Sequence, residues 1–152
     1  MVQRLIADAI KGAHTRVRIA SMVLSSVAIL EALKEKIDAG LDVAGIYDHD
    51  QTYGVKKDWE KIEQDTPKVQ LLDAVIAHLV AKPSQKFDTK NPGLAHNFMH
   101  NKVVVADDTV ATGSFNFSLN ATRNAENVVA LTSNIFADGY AKYIDELVTR
   151  YR

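Results

Sequence analysis

Residues 98–127 read FMHNKVVVADDTVATGSFNFSLNATRNAEN, and the rest of the chain is organised around them. The valines at 103–105 form an uninterrupted β-branched run, which is typical of a strand buried on both faces. The aspartates at 107–108 predict a turn after this strand, and residues 110–112 predict a short second strand that returns to Gly113. The stretch therefore predicts two strands joined by a turn, with most of the polar residues at their ends.

The polar residues of this stretch recur at a spacing of two. His100 and Lys102 are separated by one residue, so on a strand both side chains point to the same side. Ser114 and Asn116 repeat the spacing after Gly113, a glycine that lets the backbone approach a ligand closely. The pattern places an imidazole beside an ammonium and adds a hydroxyl and an amide as neutral donors.

A carboxylate completes the set. Glu126 lies just before residues 128–131, a further pattern typical of a buried strand. A cation and neutral donors stabilise charge on a phosphoryl oxygen, an imidazole can attack phosphorus, and a carboxylate can hold that imidazole in one tautomer. These groups together suit a phosphodiester substrate.

The segments HNKVVVAD, GSFN and NAEN resemble the H-x-K-x(4)-D signature of the phospholipase D superfamily, with G-S-x-N following it. The resemblance implies a metal-independent phosphodiesterase that needs no cofactor. It implies catalytic and phosphate-binding roles for five residues, which are His100, Lys102, Ser114, Asn116 and Glu126. It also implies structural roles for Asp107 and Gly113.

The implied roles differ from residue to residue. His100 forms a phosphohistidine intermediate, and Glu126 orients a catalytic histidine. Lys102, Ser114 and Asn116 hold the phosphate, and Lys102 and Asn116 also count as catalytic. Active sites of this superfamily combine two such motifs, whereas this chain contains one. We therefore expect either a homodimer with the site on its two-fold axis or a second motif-bearing half that completes the site.

The rest of the chain predicts an α/β fold, with a mixed β-sheet flanked by helices on both faces in a single domain over 1–152. Apolar spacing predicts helices at 2–13, 27–39 and 134–152 and strands at 15–24 and 41–47. In the first strand Arg16 and Arg18 are expected opposite Val17 and Ile19. The chain opens almost directly on a helix where related domains usually begin with a strand, which also fits the second half of a longer protein.

Composition narrows the function only slightly. The chain has 152 residues, 47% of them hydrophobic, a formal net charge of −1 and no cysteine. No apolar run approaches the roughly 20 residues of a membrane span, and we expect a cytoplasmic protein without stable membrane insertion. We expect cleavage of DNA or RNA first, and phospholipid hydrolysis or phosphatidyl transfer second. The third hypothesis is a non-catalytic half of a larger nucleic-acid-binding protein.

Several residues outside the motif are interpreted as structural or as lying at the rim of the site. The Asp-His-Asp run at 48–50 predicts a structural or substrate-rim position, because three adjacent residues cannot all face one metal ion. Trp59 is interpreted as packing, with stacking on a base as the alternative. His78 is expected to be buried or half-buried within an apolar segment, and His96 to lie at the rim of the site.

Three further expectations concern segments rather than single residues. Residues 69–72 predict a short strand. Residues 82–97 predict a loop whose lysines, Lys82, Lys86 and Lys90, either line the mouth of the site or are solvated. The aromatic residues of the last helix are expected in the core first and at an interface second.

Overall fold

A computed structural model of the chain describes residues 2–85, 90 and 97–152. The α-helices in this part are α1 (Val2–Gly12), α2 (Val27–Asp38), α3 (His49–Trp59), α4 (Thr66–Ile76) and α5 (Asn134–Tyr151). The strands are β1 (Arg16–Ser21), β2 (Asp42–Asp48), β3 (Val80–Lys82), β4 (Lys102–Ala106), β5 (Thr109–Gly113) and β6 (Val128–Thr132). Two short 3₁₀ turns cover Glu63–Asp65 and Asn120–Arg123.

The described strands form one mixed sheet in the order β3-β2-β1-β4-β5-β6. β1, β2 and β3 are parallel, whereas β4, β5 and β6 join the sheet in antiparallel pairs. β4 lies between β1 and β5, and its residues 103–106 are buried, as the valine run predicted. This is the mixed α/β sheet that the sequence predicted.

Helices cover both faces of the sheet, which confirms the predicted layers. On one face α1, α2 and α4 enclose an apolar cluster that contains Ile19 and Val104. On the other face α5 packs over a second cluster that contains Val103 and Val105. Alternate residues of β4 thus enter different clusters, because successive side chains of a strand point to opposite faces.

The arginines of β1 lie on the α5 face, opposite Val17 and Ile19 as predicted. Arg16 forms an ion pair with Asp138 of α5. Arg18 is only 12% exposed at its side chain and pairs with Asp145 at 2.7 Å as well as with Asp42 at 2.7 Å. These pairs fix the direction in which α5 crosses the sheet.

Two local predictions in the middle of the chain were wrong. Residues 69–72 lie in α4 and not in a strand, since Pro67 occupies the first helical turn and Leu72 and Val75 are buried at helical spacing. His78 is exposed, because α4 ends at Ile76 and the chain turns at the surface before β3 begins.

The predicted burial of the C-terminal part was also wrong. β6 is the edge strand, and its residues 129–132 are exposed. In α5 the residues that face the sheet are Ala137, Ala141, Ile144 and Val148, while Phe136, Tyr140 and Tyr143 are exposed. Small alanines let the helix lie close to the sheet, so the bulky aromatic residues occupy the other stripe.

The turn between β4 and β5 is joined to the start of β1 by Asp107. Its carboxylate accepts hydrogen bonds from the backbone N–H of His14 at 2.7 Å, of Thr15 at 2.9 Å and of Arg16 at 3.0 Å. It also accepts one from the Thr15 hydroxyl at 2.7 Å. Asp107 itself has a positive φ of 53°, a conformation that aspartate and asparagine tolerate better than most residues.

These contacts shift the titration of Asp107. Burial by itself favours the neutral acid, but the hydrogen bonds from Thr15, Arg16 and His14 outweigh it and hold the pKa of the carboxyl well below its usual range. The ionised form is therefore stabilised by folding. Its contribution to stability is complete above the ordinary aspartate pKa of about 3.9 and is lost as the pH falls below that value.

We predict that Asp107→Ala lowers the free energy of unfolding at pH 7 by roughly 2 kcal/mol, since it removes the acceptor of three backbone N–H groups and leaves alanine at positive φ. Asp107→Asn should lose less, and its stability should fall less steeply than that of the wild type between about pH 4 and pH 2. Urea unfolding at several pH values measures both effects. Asp108→Ala is the control, expected to change stability by less than about 0.5 kcal/mol; an equal loss from both variants would contradict the assignment.

Candidate active site

One edge of the sheet collects the polar residues of the motif. The carboxyl ends of β1, β2 and β3 lie at this edge, and because β4 is antiparallel to β1, its first residue, Lys102, lies there too. Lys102 pairs with Ser21, the last residue of β1. Asp107 lies at the opposite edge, so it belongs to the scaffold and not to this cluster.

His100 and Lys102 lie next to each other at the start of β4. The strand begins at Lys102, so His100 precedes it and is exposed. The Lys102 ammonium donates to the His100 carbonyl oxygen at 3.0 Å and lies 4.0 Å from the Met22 sulfur. Within the described part of the chain, no group forms a hydrogen bond with the His100 imidazole, which leaves both ring nitrogens accessible.

The electrostatic environment of Lys102 is unusual for a lysine. Partial burial lowers its pKa, and the negative charge of Glu126 offsets part of this shift. Glu126 is therefore close enough to act on Lys102, although its carboxylate oxygen accepts its hydrogen bond from Asn124, at 3.3 Å. A partly dehydrated ammonium gains more from a phosphate anion than a fully solvated one does.

The GSFN segment is held beside Lys102 by its hydrophobic residues. Phe115 and Phe117 are buried in the core, and by alternation Ser114 and Asn116 point away from it. Thr112, two residues before Ser114, donates its hydroxyl to the Lys102 carbonyl oxygen at 3.1 Å. The serine and the amide thus belong to the same edge as Lys102.

Ser114 is paired with Asn127. Its backbone N–H donates to the Asn127 carbonyl at 3.1 Å and to the side-chain oxygen at 3.0 Å. Its hydroxyl oxygen accepts from the Asn127 N–H at 3.0 Å, so the hydroxyl proton is left for a ligand. A Cβ atom at Gly113 would lie 2.2 Å from the Asn127 carbonyl oxygen, so this position requires glycine for the close approach of β6.

Asn116 lines a cleft of about 640 Å³, and Ser114 does not line it. Its side-chain oxygen is buried and has no hydrogen-bond partner in the described structure. The described contacts therefore place Lys102 beside the His100 backbone and within range of the Glu126 charge, pair Ser114 with Asn127, and place Asn116 in the lining of the cleft.

Asp48 has the structural role that was one of the two interpretations of the 48–50 run, although its contact beside His100 was not predicted. Asp48 is fully buried at the end of β2, and its carboxylate accepts from the backbone N–H of Met99 at 3.0 Å and from the Ser84 hydroxyl. It also caps α3 by accepting from the Gln51 N–H at 3.2 Å. A buried aspartate directly after a strand was the available signal, but its contact with Met99 joins residues 51 positions apart.

Lys82 neither lines the mouth of the site nor is solvated, which were the two possibilities predicted for the lysines of the 82–97 loop. Lys82 is buried, and its ammonium donates to the carbonyl oxygens of Pro83 at 3.1 Å and Asn97 at 2.9 Å and lies over the Tyr151 ring. It therefore ties the loop ends together and does not face a substrate. Lys90 is exposed, while Lys86 and His96 lie outside the described residues.

The described histidine, aspartate and glutamate side chains do not form a metal-binding cluster. No group of three or more histidine, aspartate or glutamate side chains in the described residues is placed to hold a metal ion. His49 instead stacks on Tyr53, with ring centroids 5.2 Å apart. None of the described helices is long and apolar enough to cross a bilayer.

A broad apolar surface adjoins the site. It consists of Val129, Leu131, Ile135, Phe136, Tyr140 and Tyr143, and we call it the α5–β6 surface. Leu131 pairs with Val110, which lies in the cluster beneath α5, so the exposed side chains of β6 lie on the same sheet face as the helix. The Tyr143 hydroxyl accepts from Asn101, the residue after His100, at 3.2 Å.

Solved structures share this fold. Nuc from Salmonella typhimurium, described as a phospholipase D family member, is 22% identical, with a TM-score of 0.69 over 98% of this chain and 87% of that one. NucT from Helicobacter pylori is 19% identical, with a TM-score of 0.70 over 99% of this chain and 88% of that one. Phosphatidylserine synthase from Haemophilus influenzae is 16% identical, with a TM-score of 0.59 over 96% of this chain but only 34% of the synthase chain.

No curated protein matches the sequence. A family model described as "Cardiolipin synthase, PLD-like domain" matches residues 6–148, which is nearly the whole chain. The match spans the strands and helices described above as well as the motif. The chain therefore belongs to this PLD-like domain family of the phospholipase D superfamily.

Proposed function

We propose that the protein is a metal-independent phosphodiesterase that cleaves nucleic acid through a phosphohistidine intermediate. The observation that carries this proposal is the partly buried Lys102 ammonium, held beside the exposed His100 and within range of the Glu126 charge. Membership of a phosphodiesterase superfamily supports the reaction class.

The first step forms a covalent intermediate. A ring nitrogen of His100 attacks phosphorus, and the bond from phosphorus to the leaving oxygen breaks. Lys102 and the Ser114 hydroxyl hold the non-bridging oxygens, where negative charge accumulates. The leaving oxygen takes a proton from a second histidine, which must be charged at this point.

The second step restores the enzyme. A water molecule attacks the phosphohistidine, the second histidine takes the water proton, and the phosphorus–nitrogen bond breaks to return its electron pair to His100. Each turnover therefore needs two histidines with opposite starting charges. We propose that the second one is His100 of another copy of the chain, and that two copies share one site on a two-fold axis.

The α5–β6 surface supports this assembly. Phe136 is 54% exposed and Ile135 84%, and a cluster of exposed apolar side chains of this kind is typical of a protein interface. Because Tyr143 contacts Asn101, the surface reaches the side of His100. A second copy seated there brings a second His100 toward the first, which an isologous contact requires.

We predict that hydrolysis of a chromogenic phosphodiester continues in EDTA and that His100→Ala lowers its rate by at least about 10³-fold. Rapid alkaline quenching followed by mass spectrometry should find the phosphoryl adduct on the peptide that carries His100. His78→Ala is the matched control, because His78 is exposed and outside the site. Loss of activity in EDTA, or an active His100→Ala variant, would contradict the proposal.

We predict that Phe136→Glu weakens dimerisation by roughly 10- to 100-fold, since each substitution occurs twice in a two-fold interface. Sedimentation gives the dissociation constant, and the rate per subunit should fall in parallel at low protein concentration. Leu5→Glu is the control, because Leu5 is 45% exposed on α1, across the sheet from α5. A dimer that Phe136→Glu leaves intact would remove this surface as the interface.

A further inference from the structure

The cleft beside Asn116 has the size and lining of a ligand site. Its volume of about 640 Å³ lies within the range of small-molecule pockets. α3 contributes Trp59 and Gln51 to its lining, α1 contributes Gln3, and Ser25 precedes α2. These groups are an aromatic ring and neutral donors and acceptors, and the charged side chains of Glu31 and Lys68 also line the cleft. The reaction steps proposed above use none of these residues.

Two chain segments link the cleft to the proposed reaction centre. Val23 lines it, and the preceding residue, Met22, contacts the Lys102 ammonium through its sulfur and donates its N–H to the Asn101 carbonyl at 2.9 Å. Asn116 lines it from the other side. The cleft and Lys102 are therefore joined through Met22 and Val23, and this link is the basis for assigning one nucleotide to both.

The polar atoms of the cleft require a ligand with both donors and acceptors. The buried side-chain oxygen of Asn116 is unpaired, and a desolvated acceptor is stabilised when a ligand donates to it. The Gln3 side-chain oxygen accepts a hydrogen bond from the Ser26 hydroxyl at 3.1 Å, so the side-chain N–H₂ group of Gln3 remains to donate. Nucleobase edges carry both types of group, whereas an acyl chain would leave these amides unpaired.

Trp59 adds a stacking wall. It is half-buried, packs against the core cluster and also lines the cleft, where the Lys68 ammonium lies 5.8 Å from its ring centroid. Aromatic side chains at this kind of position bind bases by stacking with little sequence preference. Trp59 therefore packs against the core, as the interpretation favoured from the sequence has it, and also borders the cleft.

We infer that this cleft binds the nucleobase attached to the scissile phosphate, with the base against Trp59 and its edge toward Gln51 and Asn116. The inference rests on the proposed phosphodiesterase function and names the part of the substrate that the protein recognises. The ligand class is a nucleoside unit of single-stranded nucleic acid, since a base within a duplex is stacked and paired.

Trp59 is the single tryptophan of the chain, so intrinsic fluorescence reports on this cleft. The experiment titrates the His100→Ala variant, which does not turn over, with a short single-stranded oligonucleotide and with an abasic oligomer of the same length and charge. We expect the oligonucleotide to quench the fluorescence and to bind roughly 10- to 100-fold more tightly than the abasic oligomer. Gln51→Ala should weaken only the base-dependent part, by about 5- to 10-fold.

Gln70→Ala is the matched control, because Gln70 is exposed on α4 and outside the cleft. Equal binding of the two oligomers, or equal effects of the two glutamine substitutions, would overturn the inference. Hydrolysis of methyl p-nitrophenyl phosphate by the wild type, a substrate without a base, reports separately on the proposed function. If the wild type hydrolyses this substrate but the two oligomers bind equally, base binding in the cleft is contradicted and the proposed reaction is not. If the oligonucleotide binds more tightly but the substrate is not hydrolysed, the proposed reaction is contradicted and base binding is not.

Discussion

The pairing of β4 between β1 and β5 is the constraint on which the candidate site depends. Because Val103, Val104 and Val105 are buried on both faces, β4 cannot slip by one residue without moving apolar side chains out of both clusters. The register then fixes Lys102 opposite Ser21 at the sheet edge. The position of the site therefore follows from core packing. The catalytic candidate His100 lies two residues before Lys102, just outside the paired strand.

Long-range hydrogen bonds then fix what the strand leaves free. Asp48 holds the backbone of Met99 from one side, and Asn127 holds Ser114 from the other. Each carboxylate or amide joins segments that are distant in the chain, so the geometry around His100 depends on the whole sheet. Asp107 plays the corresponding part at the opposite edge, where it joins the β4–β5 turn to the start of β1.

Sequence patterns predicted the parts of the fold that local physics determines. The valine run, the strand at Arg16–Ser21 and the helix at Val27–Asp38 follow from periodicity, although the strand ends before the predicted boundary at residue 24. Burial at the chain's C-terminal end could not be predicted in this way, because α5 has both an alanine stripe and an aromatic stripe at helical spacing. Which stripe faces the sheet depends on how closely the helix packs.

The candidate site shows the same division. The spacing of two predicted only which neighbours accompany each other, His100 with Lys102 and Ser114 with Asn116. The cleft at Asn116 and the support from Asp48 arise from segments that the sequence does not connect. Lys82 was expected at the start of a polar loop. It instead ends β3, is buried and donates hydrogen bonds to carbonyl oxygens. The site roles inferred from the motif stay predictions until activity is measured.

We propose that two copies share one site and that each turnover uses both His100 side chains. The most direct measurement mixes wild type with His100→Ala at constant total concentration, allows the subunits to exchange, and follows cleavage of a single-stranded oligonucleotide, whose alkoxide leaving group needs protonation. A shared site predicts a rate that falls as the square of the wild-type fraction, so that an equal mixture keeps about one quarter of the activity. Retention of about one half, as independent copies would give, or no cleavage by the wild type, would contradict the account.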